Sequence, residues 1–336
     1  MILSLAPMAD ITHFGFRKLV SSFAPPHLYY SEMIHSPSLL CGGQFEKWYM
    51  ITSENEPLIW QLTSDETETI KDTIPLLLEK TSLGIDLNMG CSAPHIVATG
   101  AGFAWLKKDK SEISKYVKNA RDAIDAYVKM KGNNRPLLSV KMRLPSERQE
   151  ELYDFVSFLA DCGVDRVTVH PRFQKEKYSR PPHYEYVEKL VEKSLIPIFI
   201  NGEIKNSDDI KKISVRMPKV QGCMIGREAV RQPWIFSKIF EKMEEEKNIE
   251  NGLKNSDARN KKIDLLEVTT IFINNLLEYQ PEEFQLLRAK RFFSLFCDNF
   301  QFSHYIRTKL LNVKTLDDVL PILTSYFEEV SDDRWR

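Results

Sequence analysis

No cysteine in this chain has a near neighbour of its own kind. The five (Cys41, Cys91, Cys162, Cys223 and Cys297) form no CxxC pair and no zinc-like spacing, so no metal is expected. An odd, scattered set excludes a disulfide-stapled scaffold and fits reduced thiols in a cytoplasmic protein. The amino terminus, MILSLAPMAD, lacks a basic region, and its apolar run is too short for a secretory signal. No stretch approaches the ~20 apolar residues of a membrane span. No GxGxxG turn follows the first apolar run, which weighs against an open dinucleotide-binding sheet. Internal repeats and low-complexity tracts are missing. So is any charge excess: 46 Lys and Arg stand against 47 Asp and Glu, a net charge of −1. That balance weighs against a nucleic-acid partner unless basic residues cluster locally.

What is present suffices for a large core, since 43% of the 336 residues are apolar and 11% aromatic. Short apolar runs read as strands at Ile2–Ala6, Leu28–Glu32, Pro57–Leu62, Gly84–Met89, Leu137–Met142, Arg166–His170, Pro197–Ile200 and Gln221–Ile225. They are rich in Ile, Val and Leu without clean alternation, as a parallel sheet covered on its outer face requires. Helical stretches lie between them, among them Asp65–Glu79, Ser111–Lys129, Glu150–Asp161 and Tyr184–Lys193, with Ser64, Ser111 and Ser207 as expected caps. Eight such alternations predict an α/β fold, a (β/α)8 TIM barrel over residues 1–242. A charged linker is expected over 243–262. Apolar positions at helical spacing (Leu265, Val268, Phe272, Leu276), with helices near Glu283–Phe296 and Leu316–Glu329, predict a small helical domain over 263–336.

In such a barrel, chemistry collects at the C-terminal strand ends. Those ends carry Pro7-Met8-Ala9, Gln61, Asn88-Met89-Gly90-Cys91, Lys141, His170-Pro171-Arg172, Asn201-Gly202-Glu203 and Gly226-Arg227. Gly202 and Gly226, on adjacent strands, suit a phosphate cup, with Arg227 as a charged contact; tight turns are the plainer reading. Lys141 needs a partner, either a carboxylate such as Asp86 or Glu32 or the carbonyl edge of a flavin. Gln61 offers a donor and an acceptor to the same edge, and His170 is read as a cofactor contact rather than a core histidine. Cys91, leaving a strand at the barrel mouth with no metal partners nearby, suits a general acid.

These residues lie in APMADITHFGFR, DLNMGCSAPHIVATGAGFAWL, SVKMRL, VTVHPR, FINGEI and GCMIGREAVRQPWIF, which in this order resemble the tRNA-dihydrouridine synthase family. The resemblance covers residues 1 to about 240. It implies an enzyme that reduces uridine in tRNA, in the D-loop region, to 5,6-dihydrouridine with FMN and NADPH; a monomer is expected. It implies that FMN is held by Pro7, Met8, Ala9, Gln61, Lys141, His170, Asn201, Gly202, Glu203, Gly226 and Arg227. Hydride would pass from flavin N5 to C6 of the uracil, and Cys91 would protonate C5. Asn88 and Arg172 would face the substrate. The chain departs from the family pattern at Ser92, where proline is usual after the cysteine, at His95, where many members carry lysine, and at Pro171 in place of glycine.

The helical tail supplies the local charge that the whole chain lacks. Between residues 288 and 314, Arg288, Lys290, Arg291, Arg307, Lys309 and Lys314 stand against Asp298 alone, six minus one or +5. Arg288 and Arg291 are expected to meet RNA phosphates. Three readings compete with tRNA reduction: the same chemistry on ribosomal RNA, an FMN barrel acting on a small molecule in the manner of a dihydroorotate dehydrogenase, and a flavin-less RNA-binding protein.

Overall fold

The computed structural model describes residues 1–80, 82–132, 134–250 and 262–336. Its packing divides the chain into two compact units. One comprises Met1–Pro7, His27–Ile204 and Asp208–Gly226; the other comprises Met8–Pro26, Lys205–Ser207 and Arg227–Arg336.

The first unit is a closed barrel of eight parallel strands in sequence order: β1 Ile2–Leu5, β2 Leu28–His35, β3 Leu58–Thr63, β4 Gly84–Met89, β5 Leu137–Arg143, β6 Arg166–His170, β7 Ile198–Asn201 and β8 Gly222–Ile225. Strand β8 closes on β1 through pairs such as Ile2 with Gly222 and Leu5 with Ile225. The expected strands therefore all form, and β2 runs on to His35 through an irregularity between Tyr30 and Met33.

The expectation of unpatterned strands fails for β4 to β6, which alternate from Ile85, Leu138 and Arg166 onward. Ile85, Leu87, Met89, Leu138, Val140, Met142, Val167 and Val169 form the apolar series. The other series is polar: Asp86 and Asn88, then Ser139, Lys141 and Arg143, then Arg166, Thr168 and His170. That series points into the barrel, because Arg166 on β6 reaches across to β2 and donates to the Tyr30 hydroxyl at 2.8 Å. Its guanidinium lies 4.3 Å from the Phe199 ring centroid. Ala6, Tyr30, Ile59 and Met224 form an apolar layer inside the barrel.

The expected helices form as Thr69–Leu78, Lys110–Lys131, Gln149–Asp161 and Glu185–Lys193. Two of the three expected caps do not, and Ser207 is the first residue of helix Ser207–Arg216 rather than the residue before it. Ser64 accepts from the Glu66 amide in a turn ahead of its helix, and Ser111 lies inside a helix whose cap position is Asp109.

In the second unit, helix Phe14–Ser21 packs on helix Leu265–Tyr279, where the Asn275 carboxamide donates to the Gly15 carbonyl at 2.9 Å. A side chain at position 15 would meet the Asn275 carbonyl at 2.9 Å, so glycine permits the approach. Helices Glu282–Phe296, Ser303–Leu311 and Val319–Glu329 follow, around a stack in which the Phe272 and Phe292 centroids are 3.9 Å apart. Of the expected linker, residues 251–261 lie outside the described residues, while 243–250 continue helix Ile235–Glu250. Among the described residues, no helix is long and apolar enough to cross a membrane, and no group of three or more His, Cys, Asp or Glu could hold a metal ion.

Candidate active site

Cys91 sits on the turn that leaves β4. The Asn88 side-chain oxygen accepts from the amides of Gly90 at 3.1 Å and Cys91 at 2.9 Å, an Asx-type turn that fixes where the thiol emerges. The turn is tight on both sides. A Cβ at Gly90 would lie 3.1 Å from the Met142 carbonyl carbon, and one at Gly102 would lie 2.6 Å from the Cys91 carbonyl oxygen. Gly102 also has φ +59°, and the Phe103 amide donates to that same Cys91 carbonyl at 2.8 Å. The turn is thereby held between the end of β5 and the segment that starts at Gly102, while Cys91 stays partly exposed.

The orientation of Asn88 is set by a chain of hydrogen bonds. Its Nδ2 donates to Gln61 Oε1 at 2.9 Å, and Gln61 Nε2 donates to Asp86 Oδ2 at 2.8 Å. Asp86 Oδ1 accepts from the Ser139 hydroxyl at 2.6 Å. A carboxylate only accepts, so the amide orientation of Gln61, and through it that of Asn88, follows from Asp86. Burial pushes the Asp86 pKa up, against the hydrogen bonds of Gln61 and Ser139 and the charges of Lys141 and Arg166.

Lys141 is paired in register with Asn88. The carboxylate partner that the sequence suggested does not materialise. Both Asp86 oxygens are taken, and the ammonium makes no hydrogen bond or ion pair among the described residues. Burial brings its pKa down to about 8; the Arg143 charge lowers it further, while Asp86 and Cys91 hold it up.

Further round the barrel, Arg172 joins the ends of β6 and β7. Its Nη1 is 2.7 Å from His170 Nε2, and its Nη2 is 2.6 Å from Glu203 Oε1. Glu203 has φ +48° beside Gly202 at φ +133°, so two consecutive residues sit at positive φ. The Tyr184 hydroxyl donates to the Gly202 carbonyl, and Asn201 Nδ2 donates to the Met224 carbonyl on β8 at 2.8 Å.

The family model described as dihydrouridine synthase matches residues 4–330. The chain belongs to the dihydrouridine synthase family. Its relatives include proteins named probable tRNA-dihydrouridine synthase. One from Helicobacter pylori is 32% identical over 70% of this chain and 69% of its own. One from Aquifex aeolicus is 28% identical over 74% and 75%. One from Staphylococcus aureus is 24% identical over 98% and 94%. The solved structure of the old yellow enzyme homologue from Zymomonas mobilis is similar at TM-score 0.48 and 10% identity, over 71% of this chain and 88% of that one.

Members of the dihydrouridine synthase family are oxidoreductases, and this site fits an acceptor-rich cofactor ring. The unpaired Lys141 ammonium needs acceptors, and Gln61 keeps one N–H beyond its bond to Asp86. Of the other expected contacts, Pro7 follows β1 in the barrel unit, and Met8, Ala9 and Arg227 belong to the second unit. The Met8 amide is fixed by Thr12 Oγ1 at 2.9 Å, and Arg227 opens helix Arg227–Arg231 directly after Gly226.

Three expected substrate contacts read differently in the structure. The Asn88 carboxamide is spent on Gln61 and the Cys91 turn, so it serves the thiol. The Arg172 side chain is 0% exposed and faces its own loop. Arg288 is 2% exposed, on the buried stripe of helix Glu282–Phe296 with Phe292 and Phe296, and cannot meet an RNA phosphate from there. Arg291, three residues on, is 60% exposed, with Asp10 at 3.6 Å. Arg307 pairs with Asp298, which also holds Arg231. Ser139 and Arg166 were not among the expected site residues; the period-two polar series on β5 and β6 is the signal that reveals both.

Proposed function

We propose that the chain is an FMN-dependent tRNA-dihydrouridine synthase, a cytoplasmic monomer that uses NADPH to reduce uridine in the D-loop region. The observation that carries this is the partly exposed Cys91 thiol on a turn capped by Asn88, beside the unpaired Lys141 ammonium. The names of the relatives support tRNA as the substrate.

Pro7, Met8, Ala9, Gln61, Lys141, His170, Asn201, Gly202, Glu203, Gly226 and Arg227 would hold the cofactor. A bound flavin would supply the hydride that enters the uracil ring at C6. Cys91 delivers its thiol proton to C5, completing the saturation of the C5–C6 bond. The thiolate left behind recovers its proton from water. The target base must leave its stack to reach the thiol, which suits a flexible RNA loop.

The test is nucleoside mass spectrometry on an unmodified tRNA transcript incubated with the protein, FMN and NADPH. It is paired with dihydrouridine mapping in RNA from cells lacking the gene. Dihydrouridine formed in the first and lost at a tRNA position in the second is expected. No product in the first and no lost position in the second would defeat the proposal.

A further inference from the structure

The guanidinium of Arg172 carries five N–H donors and no acceptor. Its Nε donates to the Arg180 carbonyl at 3.0 Å, and its Nη2 to the Arg180 carbonyl at 2.5 Å, the Tyr178 carbonyl at 3.4 Å and Glu203 at 2.6 Å. Its Nη1 faces His170 Nε2 at 2.7 Å. Because arginine cannot accept, the imidazole nitrogen in that bond must hold a lone pair. The ring is then neutral and its single proton lies on Nδ1. Tyr178 stacks on the imidazole, with centroids 5.9 Å apart and planes 14° from parallel, which fixes the ring plane. Arg143, the register partner of His170 on β5, sends its own donors to the Phe173 carbonyl at 3.0 Å and toward the Tyr178 hydroxyl at 3.4 Å.

We propose that Arg172 is a positioning residue. It holds His170 as the Nδ1–H neutral imidazole and, through Glu203, fixes the Gly202–Glu203 turn, so one enclosed guanidinium sets two cofactor loops. That these loops hold a cofactor rests on the flavin reading; the tautomer does not.

The test is nitrogen-15 NMR of histidine-labelled protein without cofactor, with His170 assigned from its loss in His170→Gln, together with a fluorescence titration of FMN. The wild type should show a one-proton His170 ring bearing its proton on Nδ1. Arg172→Met should release that preference, so that the Nε2–H form appears, and should raise the FMN Kd by about tenfold. Arg172→Gln can still donate to Nε2 but cannot bridge to Glu203, so it should keep the tautomer and lose the affinity. A wild-type ring that is doubly protonated or carries Nε2–H at neutral pH overturns the proposal, even if every variant fails to fold. So does a folded Arg172→Met protein with unchanged tautomer and FMN affinity. Absence of FMN binding in the wild type would instead defeat the flavin reading and leave the tautomer standing.

Discussion

At the scale of single residues, the thiol and the ammonium carry separable jobs. Replacing Cys91 with alanine removes the proton donor while leaving Gln61, Lys141 and the strand ends in place. RNA reduction should fall by about 10²–10⁴-fold in single-turnover assays, with FMN retention and the rate of flavin reduction by NADPH preserved. Lys141 should show the opposite trade. Its folded pKa, brought down from 10.5 to about 8, lies below the unfolded value. Between those two values the unfolded chain binds more protons than the folded one, so stability rises with pH across that window, and the burial penalty is fully present below it. Lys141→Met should therefore stabilise the cofactor-free protein at pH 7 by on the order of 2 kcal/mol while weakening FMN binding. Thermal melts at pH 7 and pH 10 check this, because the gain should shrink at the higher pH. Cys91 and Lys141 were legible in the sequence from their places at strand ends. The bonds that support them were not, because Gln61, Asp86 and Ser139 meet only when three strands are laid side by side.

At the scale of elements, the loop from Pro171 to His183 is anchored at several points. Besides Arg172 and Arg143, it is clipped by His183. The imidazole lies 2.8 Å from Glu176 and 3.2 Å from Glu185, and Glu176 Oε2 accepts from the Phe173 amide at 2.7 Å. Hydrogen bonds to Glu176 and Glu185 raise the His183 pKa above 6.5. The bonds from His183 and the Phe173 amide, with the nearby Arg180 charge, hold the Glu176 pKa below 4.5 against the effect of burial. A raised histidine contributes stability that is full below its unfolded value and lost as pH rises through its folded one. A lowered carboxyl contributes stability present above its unfolded value and lost as pH falls through its folded one. The clip should thus be tightest between pH 4.5 and 6.5. Hydrogen exchange at the Phe173 amide, corrected for the intrinsic pH dependence, should show protection that declines on either side; a flat profile would discount the clip. The strands were legible because each is a short apolar run between polar helices. The helix starts at Thr69 and Lys110 were not, since the serines chosen as caps serve a turn and a first helical turn instead.

At the scale of the whole molecule, charge along the tail is sorted by helical phase. Positions 288, 292 and 296 share one stripe of their helix, so Arg288 goes inward with the phenylalanines, while Arg291 faces water. The run of basic residues was plain in the sequence, and so was the phase that divides it; counting charge along the chain ignores the second. Arg288→Glu should destabilise the protein by roughly 3–5 kcal/mol, because it places a carboxylate where a buried guanidinium stood. Arg291→Glu should leave the melting temperature nearly unchanged and raise the RNA KM, with the slope of log KM against log salt falling by about 0.7–0.9. Equal melting temperatures for the two variants would contradict this division.

The barrel interior holds one more consequence. Arg166 is enclosed within it, spanning from β6 to β2, with Arg143 and Lys141 further along β5 and Asp86 as the acidic counterpart on β4. Cations outnumber anions on the inward faces of these strands, in a medium that screens them poorly. Such a floor lowers the energy of any occupant that accepts electrons. It should therefore set the midpoint potential of a bound redox group above its value in water, with Arg166 acting as an electrostatic bias from below.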